Sequence, residues 1–245
     1  ADQKRRYGKT FLLYLFHKTY LVTVEPAILR KLFSDPKTFA KCDNYKQLSS
    51  LILGDGLATS THQTHRYLYS QFFSFTNISI SMPLLCDTTN QTITELLQPY
   101  VNPTSSSTTT TTTNNSIDIQ LLFSRLALRQ FLKYCCNYSY NNSEREIEIC
   151  KLISSSSSAL ATVLMYSIPH WDFIPLVTTA KRVRKEVLKD FLVLIRERRE
   201  TIRSQNLETS QTLPDCLTTL ILSDLSDTQI FDHIFTMMCS AHDTV

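Results

Sequence analysis

The sequence predicts a mainly α protein with a small β-sheet at its N-terminal end. Three observations carry this. Two short β-prone runs lie close together near the start, almost every later apolar stretch follows a helical period, and glycine occurs only three times in 245 residues. Length permits a real core in one or two domains. A net charge of +3 is too small to argue for nucleic acid or a lipid surface, and the basic residues crowd into Lys181–Arg203 rather than covering a patch.

The elements follow in order. Phe11–Phe16 and Thr19–Val24, with a polar break between them, read as a hairpin. Glu25–Pro26 opens a helix, because proline is tolerated in the first turn, and Ile28, Leu29 and Leu32 give it an apolar face. Leu53–Gly54–Asp55–Gly56–Leu57 is a turn holding two of the three glycines, and the aromatic-rich His65–Phe73 after it reads as helix. Met82–Tyr100 and Ile117–Tyr134 fit helical periodicity. Between them, Thr104–Ser116 is nearly all Thr, Ser and Asn, too polar to fix a conformation, and reads as a disordered low-complexity insertion.

A second homopolymeric run, Ser154–Ser158, sits between Ile153 and Ala159–Met165 and is compatible with a helix. Val177–Arg203 is a long helix with Val183, Val187, Leu188, Phe191, Leu192 and Ile195 on one face and basic residues on the other. Leu213–Leu222 is a shorter one. Ser226 with Gln229 three residues on forms a capping box, which launches a helix still running at Val245.

That last helix carries the most chemical information. Ile230, Phe231, Ile234, Phe235, Met237, Met238, Cys239 and Ala241 leave almost no polar face, so it reads as central and buried. Asp243 and Thr244 then place a carboxyl and a hydroxyl in apolar surroundings, costly unless paired or used. Small residues at Ser240 and Ala241 let a flat ligand approach the backbone. A ligand-lining groove with an acid–alcohol pair for proton delivery follows, against the plainer possibility that Asp and Thr merely mark a helix end.

Small–small–X–acid–Thr at Ser240–Thr244 resembles the AGxDT motif in the central helix of the cytochrome P-450 family. Other pieces resemble that family in its own order. Tyr7–Gly8 with Phe11 is similar to the YGxxF lead into the first strands, and Glu25–Pro26 through Phe33 and Phe39 to the first conserved helix. The turn at Leu53–Leu57 resembles the glycine turn before the haem-contacting helix. Asp118–Ile119–Gln120 with Phe123–Ser124–Arg125 resembles a VDxxxLFSR helix, and Asp215 and Leu217 followed by Leu225–Ser226–Asp227 and Gln229–Ile230 resemble the approach to the central helix.

The resemblance implies a truncated cytochrome P-450 fold: a single partial domain over residues 1–245, with 104–116 as an expanded loop. It implies haem in the full-length parent, dioxygen and a small apolar substrate as reactants, and an electron-donating reductase as partner. Asp243 and Thr244 would deliver protons, His65, Ser240 and Ala241 would contact the haem, and Phe235 would line the substrate side.

Departures from the family pattern limit this. Where the haem-contacting helix usually shows WxxxR, the corresponding positions here are His65 and Tyr69, and Tyr is a weaker anion partner than Arg. The family's iron is held by a Cys thiolate in a glycine-containing loop after the central helix. Every glycine here lies at or before Gly56, so the axial Cys is absent from this chain. Glu200 and Arg203 match the letters of the family's ExxR but precede the central helix, and read as a solvated i, i+3 ion pair. The competing expectations are a non-catalytic truncated relic or interaction module, and an unrelated helical scaffold.

The remaining features are bland. His62 and His65 lack zinc partners at a matching spacing, and His170–Trp171–Asp172 lacks a nucleophile. Seven cysteines without a framework read as reduced thiols in an intracellular protein. The longest apolar run is far short of a bilayer span. Because the chain starts on Ala1, membrane association through a missing N-terminal segment, and with it the endoplasmic reticulum, stays open for the parent.

Overall fold

A computed structural model of the protein describes residues 7–15, 18–35, 38–39, 41–60, 67, 69–70, 72–101, 117–166, 175–205, 215–223 and 225–243. The Thr104–Ser116 insertion, His62, His65, the His170–Asp172 segment and Thr244 lie outside them. The chain divides into two compact units, Ala1–Asp43 and Asn44–Val245.

In the first unit, strands β1 (Thr10–Leu15) and β2 (Lys18–Thr23) pair antiparallel in the register Thr10↔Thr23 to Leu15↔Lys18. Alternation sorts the side chains. The pairs Phe11↔Val22 and Leu13↔Tyr20 are half-buried, whereas Leu12, Leu21 and Tyr14 are exposed. The open end is fastened by a Thr10–Thr23 hydroxyl bond of 2.9 Å and by the Val24 N–H donating to the Lys9 carbonyl at 2.8 Å. Helix α1 (Pro26–Ser34) starts with Pro26 in its first turn, as expected. Leu29 and Leu32 are half-buried on it while Ile28 and Phe33 are exposed, so its apolar face is narrower than the sequence suggests.

The second unit holds α2 (Asp43–Leu53), α3 (Phe75–Val101), α4 (Ile119–Cys136), α5 (Ser143–Tyr166), α6 (Pro175–Gln205), α7 (Cys216–Leu222) and α8 (Asp227–Asp243). Local signals set their ends. Asp118 accepts the Leu121 N–H at 3.0 Å to begin α4, which closes at a left-handed Asn137, with the Tyr138 N–H donating to the Leu132 carbonyl at 3.1 Å. Asp215 accepts the Thr218 N–H at 2.7 Å to begin α7. The serine run is helical because its flanks Ile149, Cys150, Ile153 and Ala159 are buried, and packing outweighs serine's modest helix propensity.

Helix α8 is the centre of this unit, with α4, α5, α6 and α7 packed around it and α3 against the outside of α4. Phe231 and Phe235 stack with ring centroids 5.3 Å apart, and Phe191 of α6 lies 5.8 Å from Phe231. Glu146 of α5, fully buried, takes Arg125 at 3.1 Å and Arg129 at 2.8 Å from α4, and Arg129 reaches Glu95 of α3 at 2.6 Å.

The basic side of α6 is not simply solvated. Arg198 pairs with Asp215 and donates to the Cys136 carbonyl at 2.6 Å, and Arg199 meets Asp227 at 2.7 Å. Among the described residues Glu200 and Arg203 form no ion pair with each other. Both are exposed, where such a pair would contribute little. No helix among the described residues is long and apolar enough to cross a membrane.

Candidate functional site at the end of the central helix

Helix α8 begins with the expected reciprocal cap. The Gln229 N–H donates to the Ser226 hydroxyl at 3.3 Å and the Ser226 N–H to the Gln229 side-chain carbonyl at 3.0 Å. From Ile230 to Cys239 every residue is buried. The expectation of almost no polar face needs correction. Asp232, Thr236 and Ser240 recur every four residues and form one polar stripe, with buried His233 beside it.

The stripe is held at its upper end by distant partners. The Asp232 carboxylate accepts the Asp55 backbone N–H at 2.9 Å on one oxygen and pairs with Arg184 of α6 on the other. Burial pushes this carboxyl above its ordinary range, against the opposing pull of the Arg184 charge. Gly54 has a left-handed φ of 67° and lies so close to Asp232 and Arg184 that a Cβ would collide with both. A Cβ on Gly56 would meet the Asp232 carbonyl and the Thr236 hydroxyl. The two glycines thus let the turn lie directly on α8.

Lower down, the hydroxyls turn back along the helix. Thr236 donates to the Asp232 carbonyl at 2.8 Å and Ser240 to the Thr236 carbonyl at 3.0 Å. A cavity of about 140 Å³ opens beside them. Leu53 and Ala58 wall one side, Ser156, Ser157 and Leu160 of α5 another, and Cys239 and Ser240 the base.

The residues singled out from sequence fall in three groups. Ser240, exposed, and Ala241, half-buried, stand together where α8 comes out of the core, and Asp243 closes the helix. His65 and Thr244 lie outside the described residues. Phe235 is 0% exposed, and five residues place it about 140° around the axis from Ser240, stacked on Phe231 rather than beside the cavity. Tyr69, the expected counterpart of the haem-helix Arg, packs in the core with its ring 5.3 Å from His233, and burial near the Cys216 and Cys135 thiols raises its phenol pKa.

Reading the sequence missed Asp232, Thr236, Arg184 and the two α5 serines. The four-residue spacing of Asp232, Thr236 and Ser240 on an apolar helix was the available signal for the stripe. Small side chains and partial exposure at Ser240–Ala241 fit a flat apolar group lying against the backbone there, as haem would require. Among the described residues no group of His, Cys, Asp or Glu side chains is placed to hold a metal ion.

Fold and site together define a mainly helical domain built on one buried helix, with a small cavity at the point where that helix emerges. The cytochrome P450 family model matches residues 1–245, and the chain belongs to the cytochrome P450 family. Among solved structures it is similar to the cytochrome P450 CYP102L1, at 15% identity and a TM-score of 0.64. It is also similar to cyanobacterial CYP120A1, solved with retinoic acid bound, at 16% identity and 0.63. Each match covers 99% of this chain and 51% of the other, so the chain spans about half the length of the structures it resembles. No curated protein sequence matches it.

Proposed function

We propose that the protein carrying this chain is a haem-dependent monooxygenase that places one oxygen atom of O₂ into a small apolar substrate, with electrons from a reductase. The observation that supports this reading best is the family match over the whole chain, residues 1–245, together with the small–small–X–acid–Thr pattern in the sequence at Ser240–Thr244, which resembles the family's central-helix motif. Haem, when bound, supplies the redox chemistry that activates dioxygen.

The chain's own residues have distinct tasks in this proposal. Ser240 and Ala241 keep the helix surface low so that the macrocycle can lie close, and His65 contributes a contact from the segment after the glycine turn. Asp243 and the Thr244 hydroxyl, the latter both donor and acceptor, deliver the protons. The cavity bounded by Leu53, Ala58 and Leu160 takes the substrate and keeps water from it. Phe235 supports that surface from behind through its stack on Phe231.

The test is spectroscopic. The whole polypeptide that carries this chain is supplied with haem, reduced and exposed to carbon monoxide. A thiolate-type Soret band is expected, and its absence in a haem-loaded, folded preparation overturns the reading.

A further inference from the structure

We propose that the outer edge of helix α6 is a docking surface for a membrane bearing acidic phospholipid, met through Arg182, Lys185, Lys189, Arg196 and Arg203. This goes beyond the monooxygenase reading and does not rest on it.

Helical geometry puts these cations in line. At about 100° per residue the five fall within a strip about 60° wide, which runs about 32 Å along α6. All five are exposed, while Val183, Val187, Phe191 and Leu194 on the opposite side are buried in the core. Glu200 is the one carboxylate on the strip. A single edge thus carries five positive charges and one negative, where the whole chain carries a net charge of +3. The other arginines of α6 between them are used inside the protein: Arg184 binds Asp232, Arg198 binds Asp215, and Arg199 binds Asp227. Those on the strip are different. Lys189 meets Glu186 at 2.8 Å, but Arg182, Lys185, Arg196 and Arg203 form no ion pair among the described residues. The acids beside the strip do not neutralise it either. Asp190 and Glu148 are held by Arg145 at 2.9 and 2.6 Å, and only Glu186 and Glu197 stand on that flank, with Lys181 and Arg199 on the other.

Shape selects the partner. A row of cations on the outside of one helix is a convex line and not a pocket, so a small anion meets two neighbours at most. A protein partner would need an acidic groove of matching length. A flat anionic sheet meets the whole row at once, and each cation near such a surface adds about fivefold in affinity. Val193, 53% exposed, lies on the same line and is the large apolar side chain of α6 left outside the core among the described residues. Against lipid it would be covered. The contact is peripheral, because no described helix is long and apolar enough to cross a membrane.

The test is co-sedimentation of the full polypeptide with vesicles of phosphatidylcholine alone and of phosphatidylcholine with phosphatidylserine. Three proteins are compared. One is the parent, one carries Arg182→Gln, Lys185→Gln and Arg196→Gln together, and one carries the same charge change elsewhere, as Arg30→Gln, Lys31→Gln and Lys151→Gln at exposed sites outside α6. The parent is expected to prefer the phosphatidylserine vesicles by at least about tenfold, and to lose that preference as salt is raised. The α6 variant should bind them at least about tenfold more weakly, and the control variant less than about threefold more weakly. Should the α6 triple variant not melt like the parent, Lys185→Gln with Arg196→Gln is read instead, with a loss of at least about fivefold expected. Equal losses in the α6 and control variants would reduce the effect to net charge and overturn the proposal. So would a parent indifferent to phosphatidylserine, or one that binds a short DNA duplex more tightly than the anionic vesicles.

Discussion

The guanidinium of Arg184 rests against the carboxylate of Asp232, which is only 4% exposed, and the same carboxylate receives the Asp55 backbone N–H at 2.9 Å. One side chain of the central helix thereby fastens both the long basic helix α6 and the glycine turn after α2. That turn is thereby held on the central helix.

Arg184→Met should therefore be costly in a pH-dependent way. Removing one partner of a buried pair destabilises by about 3–5 kcal/mol when the other stays charged. Burial already holds the Asp232 carboxyl above its unfolded value, and without Arg184 it rises further. A raised carboxyl stabilises the fold below the unfolded pKa, and that contribution is lost as pH rises through the folded one. The variant's deficit should be largest at pH 7 and shrink on acidification towards the carboxylate range. Urea unfolding at both ends of that window checks it, and an equal deficit at both would show that the charge of Asp232 is not the cause.

Gly56→Ala should destabilise by about 1–3 kcal/mol through overpacking, because its Cβ would press on the Asp232 carbonyl and the Thr236 hydroxyl. Gly54→Ala adds the penalty of a left-handed φ, about 1–2 kcal/mol. Gly8 provides the control. It too has positive φ, but a Cβ there would meet nothing within 4 Å, so Gly8→Ala should show the backbone penalty alone. Denaturant midpoints that rank Gly8→Ala as the most harmful would contradict the close-approach account.

How much of this was legible depended on distance along the chain. The Ser226–Gln229 box, the hairpin and the proline start of α1 are local, and each was readable from a few letters. The stripe of Asp232, Thr236 and Ser240 was written at four-residue spacing but had no meaning until Arg184, 48 residues away, and Asp55, 177 residues away, were brought to it. The glycines were visible as a turn, but their close approach to α8 was not. Ser154–Ser158 looked compatible with a helix, yet which of its residues would lie beside a cavity depended on how α5 packs against α8. Phe235 was assigned to the substrate side only through the family resemblance. Its stack on Phe231 needs only the four-residue spacing, which the sequence also contained.

Removing the cap tests the start of the central helix. In Ser226→Ala the Gln229 N–H loses its acceptor, and Gln229 keeps only the Ser226 N–H as a reason to fold back. The expected loss is about 1 kcal/mol in stability. Ser226→Asp restores an acceptor and adds charge at the positive end of the helix, so it should recover most of that loss. Recovery with Asp but not with Gly in thermal melts would identify the acceptor, rather than backbone freedom, as what matters.

Glu146 carries the clearest acid sensitivity. Burial alone would raise its carboxyl, but the hydrogen bonds from Arg129 and Arg125 outweigh that and hold it below the ordinary range. A depressed carboxyl stabilises the fold above its unfolded pKa, and that contribution is lost as pH falls through the folded one. The native protein should therefore lose stability as pH drops below the usual glutamate range. Glu146→Gln keeps the shape and removes the charge, leaving Arg125, itself 8% exposed, with no ion partner among the described residues and with the Ser143 hydroxyl at 2.8 Å as a neutral acceptor. Such a variant should be about 3–5 kcal/mol less stable at pH 7 and should show a flatter acid limb than the native chain. Chemical denaturation across that pH range decides it, because an acid limb as steep as the native one in Glu146→Gln would mean that the proton uptake occurs at another carboxyl.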